Sequence, residues 1–295
     1  MITYPFLERT NYRTLPPGYG GDVCVWDIDK TYLDTRFSSL RGLAAIPFEA
    51  AIDKRALPGT VPLLRALRRG PGDKSALVPL YFVSGSPKQL RSVIERKMTL
   101  DGVDFDGITF KDQWGLVRAR RPRAIKEQVG YKLIALLLYR LETPASARWL
   151  LFGDDVEMDG AVFALFGDVC AGLAGAALES ELRRLRVARS EREEALRLAD
   201  LIEDTGNPVE QIFIHLERGS DPTLYAGARM TATWSFLQTA LVLADMGRIR
   251  LEDVRAVAVD VRRKMVPEER VVQWLDDAEE RLAVPKEIVD VARAR

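Results

Sequence analysis

The segment Val23-Cys24-Val25-Trp26-Asp27-Ile28-Asp29-Lys30-Thr31 constrains this chain most: a short apolar run halts at two carboxylates one residue apart. The run follows Gly20 and Gly21 and contains β-branched residues, the pattern of a strand buried on both faces of a parallel sheet. Ligands of open α/β sheets bind beyond the carboxyl ends of the strands. Asp27 and Asp29 are therefore expected at the edge of a site, outside the core. Like charges this close repel, so they call for a divalent cation or for an unequal division of protons.

The same grammar recurs along the chain. Leu77 to Val83 reads as a second strand, ending in Ser84-Gly85-Ser86-Pro87, and Ile108-Thr109-Phe110 as a short third. Trp149 to Phe152 reads as a fourth, ending in Gly153-Asp154-Asp155-Val156-Glu157-Met158-Asp159, and Gln211 to Leu216 as a fifth. Between them lie helical segments. Pro58-Gly59-Thr60 opens one, with Val61, Leu64 and Leu67 at helical spacing and Gly70-Pro71-Gly72 as its stop. Gln89 to Met98 forms another, and Gly130-Tyr131-Lys132 leads into Leu133 to Leu141. This alternation predicts an α/β fold with a doubly wound, largely parallel sheet of Rossmannoid type.

Residues 1–225 are expected to form this core, with a cap-like excursion at about 32–56 and a solvated helical insertion at about 178–206. Past Tyr225 the strand signal ends, so residues 226–295 read as a helical C-terminal extension. Thr233 to Met246 is apolar on most sides; Leu251, Val254, Ala258, Val261 and Met265 form one stripe, and Val271, Leu275, Ala278 and Leu282 another. Such faces must be buried, either on the sheet of the same chain or in a homo-oligomer, and the pattern leaves both open. Trp234, Phe236 and Trp274 read as core residues of these helices. His215, the only histidine, reads as a core or edge residue of the fifth strand.

The 43 basic and 43 acidic residues cancel, so no global field recruits nucleic acid. A local basic stretch, Arg118, Arg120, Arg121, Arg123 and Lys126, is either a solvated surface or a contact for an anionic substrate. Cys24 and Cys170 lie in apolar segments, as buried thiols in the reducing cytoplasm do. The apolar run Leu133 to Leu138 is far shorter than the roughly 20 residues that span a bilayer. No membrane-spanning segment is expected.

Acids at strand ends permit phosphoryl transfer. A carboxylate at Asp27 can attack phosphorus and form an aspartyl phosphate, splitting one difficult displacement into two. Asp29 is placed to protonate the leaving oxygen and later to deprotonate water, a division that needs one acid protonated beside an ionised one. Mg²⁺ suits the site because it binds through a few carboxylates together with phosphate and water. Asp154, with Asp155 or Asp159, can supply further ligands. Ser84 and the amide of Gly85 can donate to the equatorial oxygens, and Lys132 can supply positive charge.

In this order the residues resemble the haloacid dehalogenase superfamily of phosphohydrolases: Asp27-Ile28-Asp29-Lys30-Thr31, then Ser84, then Lys132, then Gly153-Asp154-Asp155 through Asp159. The resemblance implies Asp27 as nucleophile, Asp29 as general acid and base, Ser84 and Lys132 as the phosphoryl-binding pair and Asp154 as the far Mg²⁺ ligand. It also implies metal contacts from a carboxylate oxygen of Asp27 and the backbone carbonyl of Asp29. Pro58-Gly59, Tyr81 to Pro87, Phe110 to Leu116 and Tyr131-Lys132-Leu133 are similar to the actin-patch-associated phosphatidate phosphatase family. Two positions depart from that family's pattern: Lys30 replaces its usual acid and Tyr131 its usual histidine. The expected activity is a Mg²⁺-dependent phosphatase acting on a small-molecule or lipid phosphate ester. A catalytically silent phosphate-binding or regulatory module and a nucleic-acid end phosphatase are the alternatives, the last disfavoured by the balanced charge.

Overall fold

A computed structural model of the chain describes residues 3–4, 7–33, 55–111, 128–227 and 229–294. The basic stretch from Arg118 to Lys126 and most of the expected excursion, residues 34–54, lie outside the described residues.

Among the described residues one sheet joins eight strands: β1 (Thr3–Tyr4), β2 (Leu7–Asn11), β3 (Asp22–Asp27), β4 (Leu80–Pro87), β5 (Gly107–Lys111), β6 (Arg148–Asp154), β7 (Val209–His215) and β8 (Met230–Thr233). Their spatial order is β1-β2-β5-β4-β3-β6-β7-β8. From β5 to β8 every pairing is parallel, whereas β1 and β2 add antiparallel strands at one edge. The fold is thus α/β with a largely parallel sheet, as the alternation predicts. Chain order runs outward from β3 through β4 to β5, then reverses to continue through β6 and β7. The carboxyl ends of β3 and β6 therefore flank a topological switch point, where open sheets bind ligands.

Strand periodicity explains why the sheet is covered on both faces. Cys24 and Trp26 of β3 and Leu150 and Phe152 of β6 face one apolar cluster; Val23, Val25, Trp149 and Leu151 face the other. Since successive side chains alternate between faces, a strand buried on both must be apolar throughout, and this is what made β3 and β6 legible. The first cluster is closed by α1 (Thr60–Arg69) and α2 (Arg91–Leu100), the second by α3 (Val129–Leu141), α4 (Asp159–Cys170), α5 (Gly175–Arg184) and α6 (Arg189–Ala199). Arg186, left-handed at φ 57°, separates α5 from α6 within the expected insertion. Gly59, at φ 87°, donates its backbone N–H to Asp260 and starts α1.

The helices α7 (Phe236–Asp245), α8 (Leu251–Arg263), α9 (Glu268–Glu280) and α10 (Lys286–Arg293) also close the first cluster. Of the two coverings open to them, the sheet of the same chain is the one realised. Phe236 stacks on Trp26, with ring centroids 5.7 Å apart, and Trp26 stacks on Phe152 at 4.3 Å. Val254, Ala258, Val261, Val271, Leu275 and Ala278 are buried as expected. The stripe is shorter than the spacing suggested. Leu251 opens α8 half exposed, and Met265, beyond its end at φ 61°, is 88 % exposed.

Three other boundaries differ from expectation. The strand signal does not end at Tyr225, because β8 extends the sheet with its four residues Met-Thr-Ala-Thr. β2 was hidden by Arg9, an inward-facing charge made tolerable by a bidentate pair with Glu142 and by stacking on Tyr139 at 4.2 Å. Leu77 is exposed and left-handed at φ 47°, so β4 begins at Leu80. Among the described residues no helix is long and apolar enough to cross a membrane.

Because α7 shares a cluster with β3 and β6, Leu241→Ala, a truncation at a fully buried α7 position, should destabilise the whole domain by about 2–5 kcal/mol. Denaturant unfolding followed by tryptophan fluorescence and by helical circular dichroism should shift together. An earlier, separate helical transition would show that the C-terminal helices fold independently of the sheet.

Candidate active site

The expected site residues converge on the carboxyl ends of β3, β4 and β6. Asp27 is the last residue of β3, and the chain then turns back tightly, with Tyr32 and Leu33 both donating backbone N–H groups to the carbonyl of Ile28. Lys30 takes a left-handed conformation, φ 63°, at this turn. Asp29 is thereby held beside β4. Its carboxylate accepts from Ser84 Oγ at 2.9 Å and from Ser86 Oγ at 2.9 and 3.0 Å. Ser84 Oγ also accepts from the Ser86 amide at 3.1 Å. The pairing of β4 with β5 slips between Ser84 and Pro87, which lets both hydroxyls reach Asp29. A regular strand would send neighbouring even positions to one face but at greater spacing along it.

Lys132 rises from the first turn of α3 into the centre of the group. Its Nζ lies 2.9 Å from Asp27 Oδ1 and 2.6 Å from Glu157 Oε2, and it also pairs with Asp159. The loop after β6 shapes the acids around it. Asp154 Oδ1 accepts the amides of Val156 and Glu157 at 2.6 and 2.9 Å, while Asp159 Oδ2 accepts the amide of Asp154 at 3.1 Å. Gly153 is required here: a Cβ would lie 2.4 Å from Asp159 Oδ2. Gly85 is likewise crowded, since a Cβ would lie 2.6 Å from Gln128 Oε1. Gln128 in turn bonds to Glu157 and accepts from Tyr131.

These side chains are buried; Asp29, at 8 % exposure, is the most accessible of Asp27, Asp29, Ser84, Lys132, Asp154 and Asp159. Burial alone would pull the Lys132 ammonium down, yet Asp159, Asp27 and Glu157 together hold it well above the usual lysine range. Burial pushes Asp27 well up; Lys132 opposes this, while Asp159, Glu157 and Asp154 add to it. Asp154 is pushed up to about 8, by burial first and then by the charge of Asp159. The cluster thus carries more carboxylate than its lysine can neutralise.

Ligating atoms of Asp27, Glu157 and Asp159 lie within 4.8 Å of one another. That triad does not mark the cation position, because the Lys132 ammonium already pairs with all three. The informative atom is Asp154 Oδ2, which is buried and accepts no hydrogen bond from the described residues. Asp154 follows Gly153 at the end of β6, the strand paired with β3, and its charge is felt at Asp27. An unsatisfied carboxylate oxygen beside an over-negative cluster fits a divalent cation.

The structure separates two acids that spacing could not. Asp159 orients Lys132, whereas Asp155 is drawn out of the group: its two oxygens accept the amides of Arg218 at 2.7 Å and Ser220 at 3.0 Å. Two partners escaped sequence reasoning. Glu157 sits between Asp154 and Asp159 in the quoted motif, and Ser86 lies one strand period from Ser84; in each case the signal was the spacing. Lys111, the last residue of β5, is also fully buried and lies over the Tyr131 ring at 5.0 Å. His215, at the end of β7, packs on Phe236 with centroids 4.7 Å apart, and burial lowers it to about 4. It is neutral at pH 7, in keeping with an edge-of-core role.

Comparison with family models, with curated proteins and with solved structures finds no match to this chain.

A stability measurement tests this electrostatic arrangement. Asp154 has a folded pKa of about 8 against an ordinary 3.8. The native state therefore holds a proton that the unfolded chain has lost, and cation-free protein loses stability as pH rises between those values. Asp154→Asn removes the effect, so its melting temperature relative to wild type should climb from pH 4 to pH 8. Added divalent cation should raise the melting temperature of wild type and not of the variant. A difference that stays flat with pH would rule out the arrangement.

Proposed function

We propose that the chain is a Mg²⁺-dependent phosphatase that hydrolyses a phosphomonoester through an aspartyl phosphate on Asp27. The single observation that carries this reading is the convergence of Asp27, Asp29, Ser84, Lys132 and Asp154, distant in sequence, at one switch point. Their roles follow from their contacts. Asp27 presents one oxygen to Lys132 at 2.9 Å, which opposes the upward push of burial without reversing it; a bound cation would add to Lys132 in favouring the ionised, nucleophilic form. Its other oxygen lies 3.5 Å from the hydroxyl of Thr31.

Asp29 holds the second role because, among the described residues, its hydrogen-bond partners are the hydroxyls of Ser84 and Ser86 and no cation. It can take a proton, pass it to the leaving oxygen as the P–O bond breaks, and recover one from the water that opens the aspartyl phosphate. When phosphate binds, its oxygens can take over the protons that Ser84 and Ser86 now give to Asp29. Asp159 and Glu157 position the Lys132 ammonium between the nucleophile and the incoming anion.

Asp27 and Asp154 would hold Mg²⁺ together with the backbone carbonyl of Asp29. Bound there, the ion would neutralise carboxylate and phosphoryl charge that Lys132 alone leaves uncompensated. The silent-module reading leaves Asp29 and its two hydroxyl partners without a purpose, since binding phosphate requires no carboxylate facing it.

Purified protein should hydrolyse an aryl phosphate with Mg²⁺ and stop when EDTA is added. Asp27→Asn should stay folded and inactive, and Ser84→Ala should lose about 10² to 10³ in kcat, as for removal of one oxyanion donor. Wild-type turnover by Asp27→Asn would refute the covalent mechanism. Inertness of the wild type across a broad phosphate panel would favour the silent module.

A further inference from the structure

Beside the candidate site, at the carboxyl ends of β7 and β8, opens a cleft of about 540 Å³. One wall is the loop that follows His215, the other the α9 face bearing Arg270 and Trp274, and Trp234 stands between them. Its floor is rigid. Gln238, fully buried, accepts the Trp234 amide at 2.7 Å and donates to the Trp274 carbonyl at 2.8 Å and to Asp277 at 2.7 Å. One side chain thus ties both indole-bearing segments together.

The charges lining the cleft are unequally compensated. Asp277 is neutralised by Arg281 at 2.6 Å, and Glu217 approaches Lys30 at 3.5 Å. Arg218 and Arg270 are exposed and form no ion pair among the described residues. Two guanidiniums without acidic partners beside two half-buried indoles make a surface that is positive and aromatic. Guanidinium forks bind anionic groups, and indole faces stack planar rings.

The loop that walls the cleft is also tied to the candidate site. Asp155, next to Asp154, accepts the amides of Arg218 and Ser220 and so anchors the cleft loop to the acid loop of β6. Lys30, next to Asp29, reaches the same loop through Glu217. With strands about 4.8 Å apart, β7 and β8 lie about 10 and 14 Å from β3, within the length of one substrate molecule.

We infer that this cleft receives the leaving group of the substrate, and that the substrate is a soluble phosphomonoester whose far end is a planar aromatic ring with a second anionic group. The inference rests on the phosphatase reading and selects a substrate class within it. A diacylglycerol tail offers neither the ring nor the second charge that this lining complements.

The test separates the two readings. By calorimetry, 2-naphthalenesulfonate, which has a ring and an anion but no phosphate, should bind both wild type and Asp27→Asn. It should bind at least fivefold more tightly than cyclohexanesulfonate. The double variant Arg218→Ala/Arg270→Ala, at exposed positions and with an unchanged melting temperature, should weaken binding at least tenfold. In turnover, a nucleoside bisphosphate should exceed glycerol phosphate at least tenfold in kcat/KM, and the double variant should lose that preference. Equal binding of the two sulfonates, or unaltered affinity in the double variant, would overturn the assignment. So would a preference for phosphatidate vesicles that survives in the double variant. Sulfonate binding without turnover of any phosphate would overturn the phosphatase reading, and with it the leaving-group assignment, while leaving the cleft as an aryl-anion site; turnover without sulfonate binding would overturn the cleft assignment alone.

Discussion

The ammonium of Lys132, surrounded by Asp27, Glu157 and Asp159, is the interaction on which the rest of the site depends. A buried lysine is tolerable only when paired, and a buried carboxylate only when paired or ligated. Lysine and acids therefore hold one another in a place where none would be stable alone. The arrangement also sets demands on the backbone. Gly153 must lack a side chain so that Asp159 can approach, and α3 must start at the sheet edge so that its first turn delivers Lys132.

The lysine does not finish the neutralisation. Among the described residues Asp154 keeps one buried oxygen without a hydrogen-bond partner, and burial first, then the charge of Asp159, raises its pKa. Asp29 stands apart in a hydroxyl environment supplied by Ser84 and Ser86. The acids of this edge thus stand in different company, Asp27 beside an ammonium and Asp29 among hydroxyls. The carboxyl edge continues past this group. Asp155 and Lys30 connect it to a loop that also borders a cleft with indole and guanidinium lining.

Much of the framework was legible because its signals are local. β3, β6 and β7 are apolar runs long enough to mark strands buried on both faces, and the acids or polar residues that follow mark their carboxyl ends. β8 and β2 were not legible. The first has only four residues, and the second carries an inward arginine whose cost is met by Glu142, a partner on another element. The site was legible as a set of residue types. Asp27, Asp29, Ser84, Lys132 and Asp154 all come together, whereas the separate duties of Asp155 and Asp159 depend on which oxygens find which amides.

The sequence by itself determined the alternation of the central strands with helices, the edge at which the acids emerge and the faces that had to be buried, because periodicity and strand ends are written in neighbouring residues. Only the tertiary structure decided that Lys132 fills the space among three carboxylates, that Ser86 and Glu157 join the group, and that the C-terminal helices cover the sheet of their own chain. Those outcomes depend on contacts between residues far apart in the chain, where spacing alone gives neither distance nor direction.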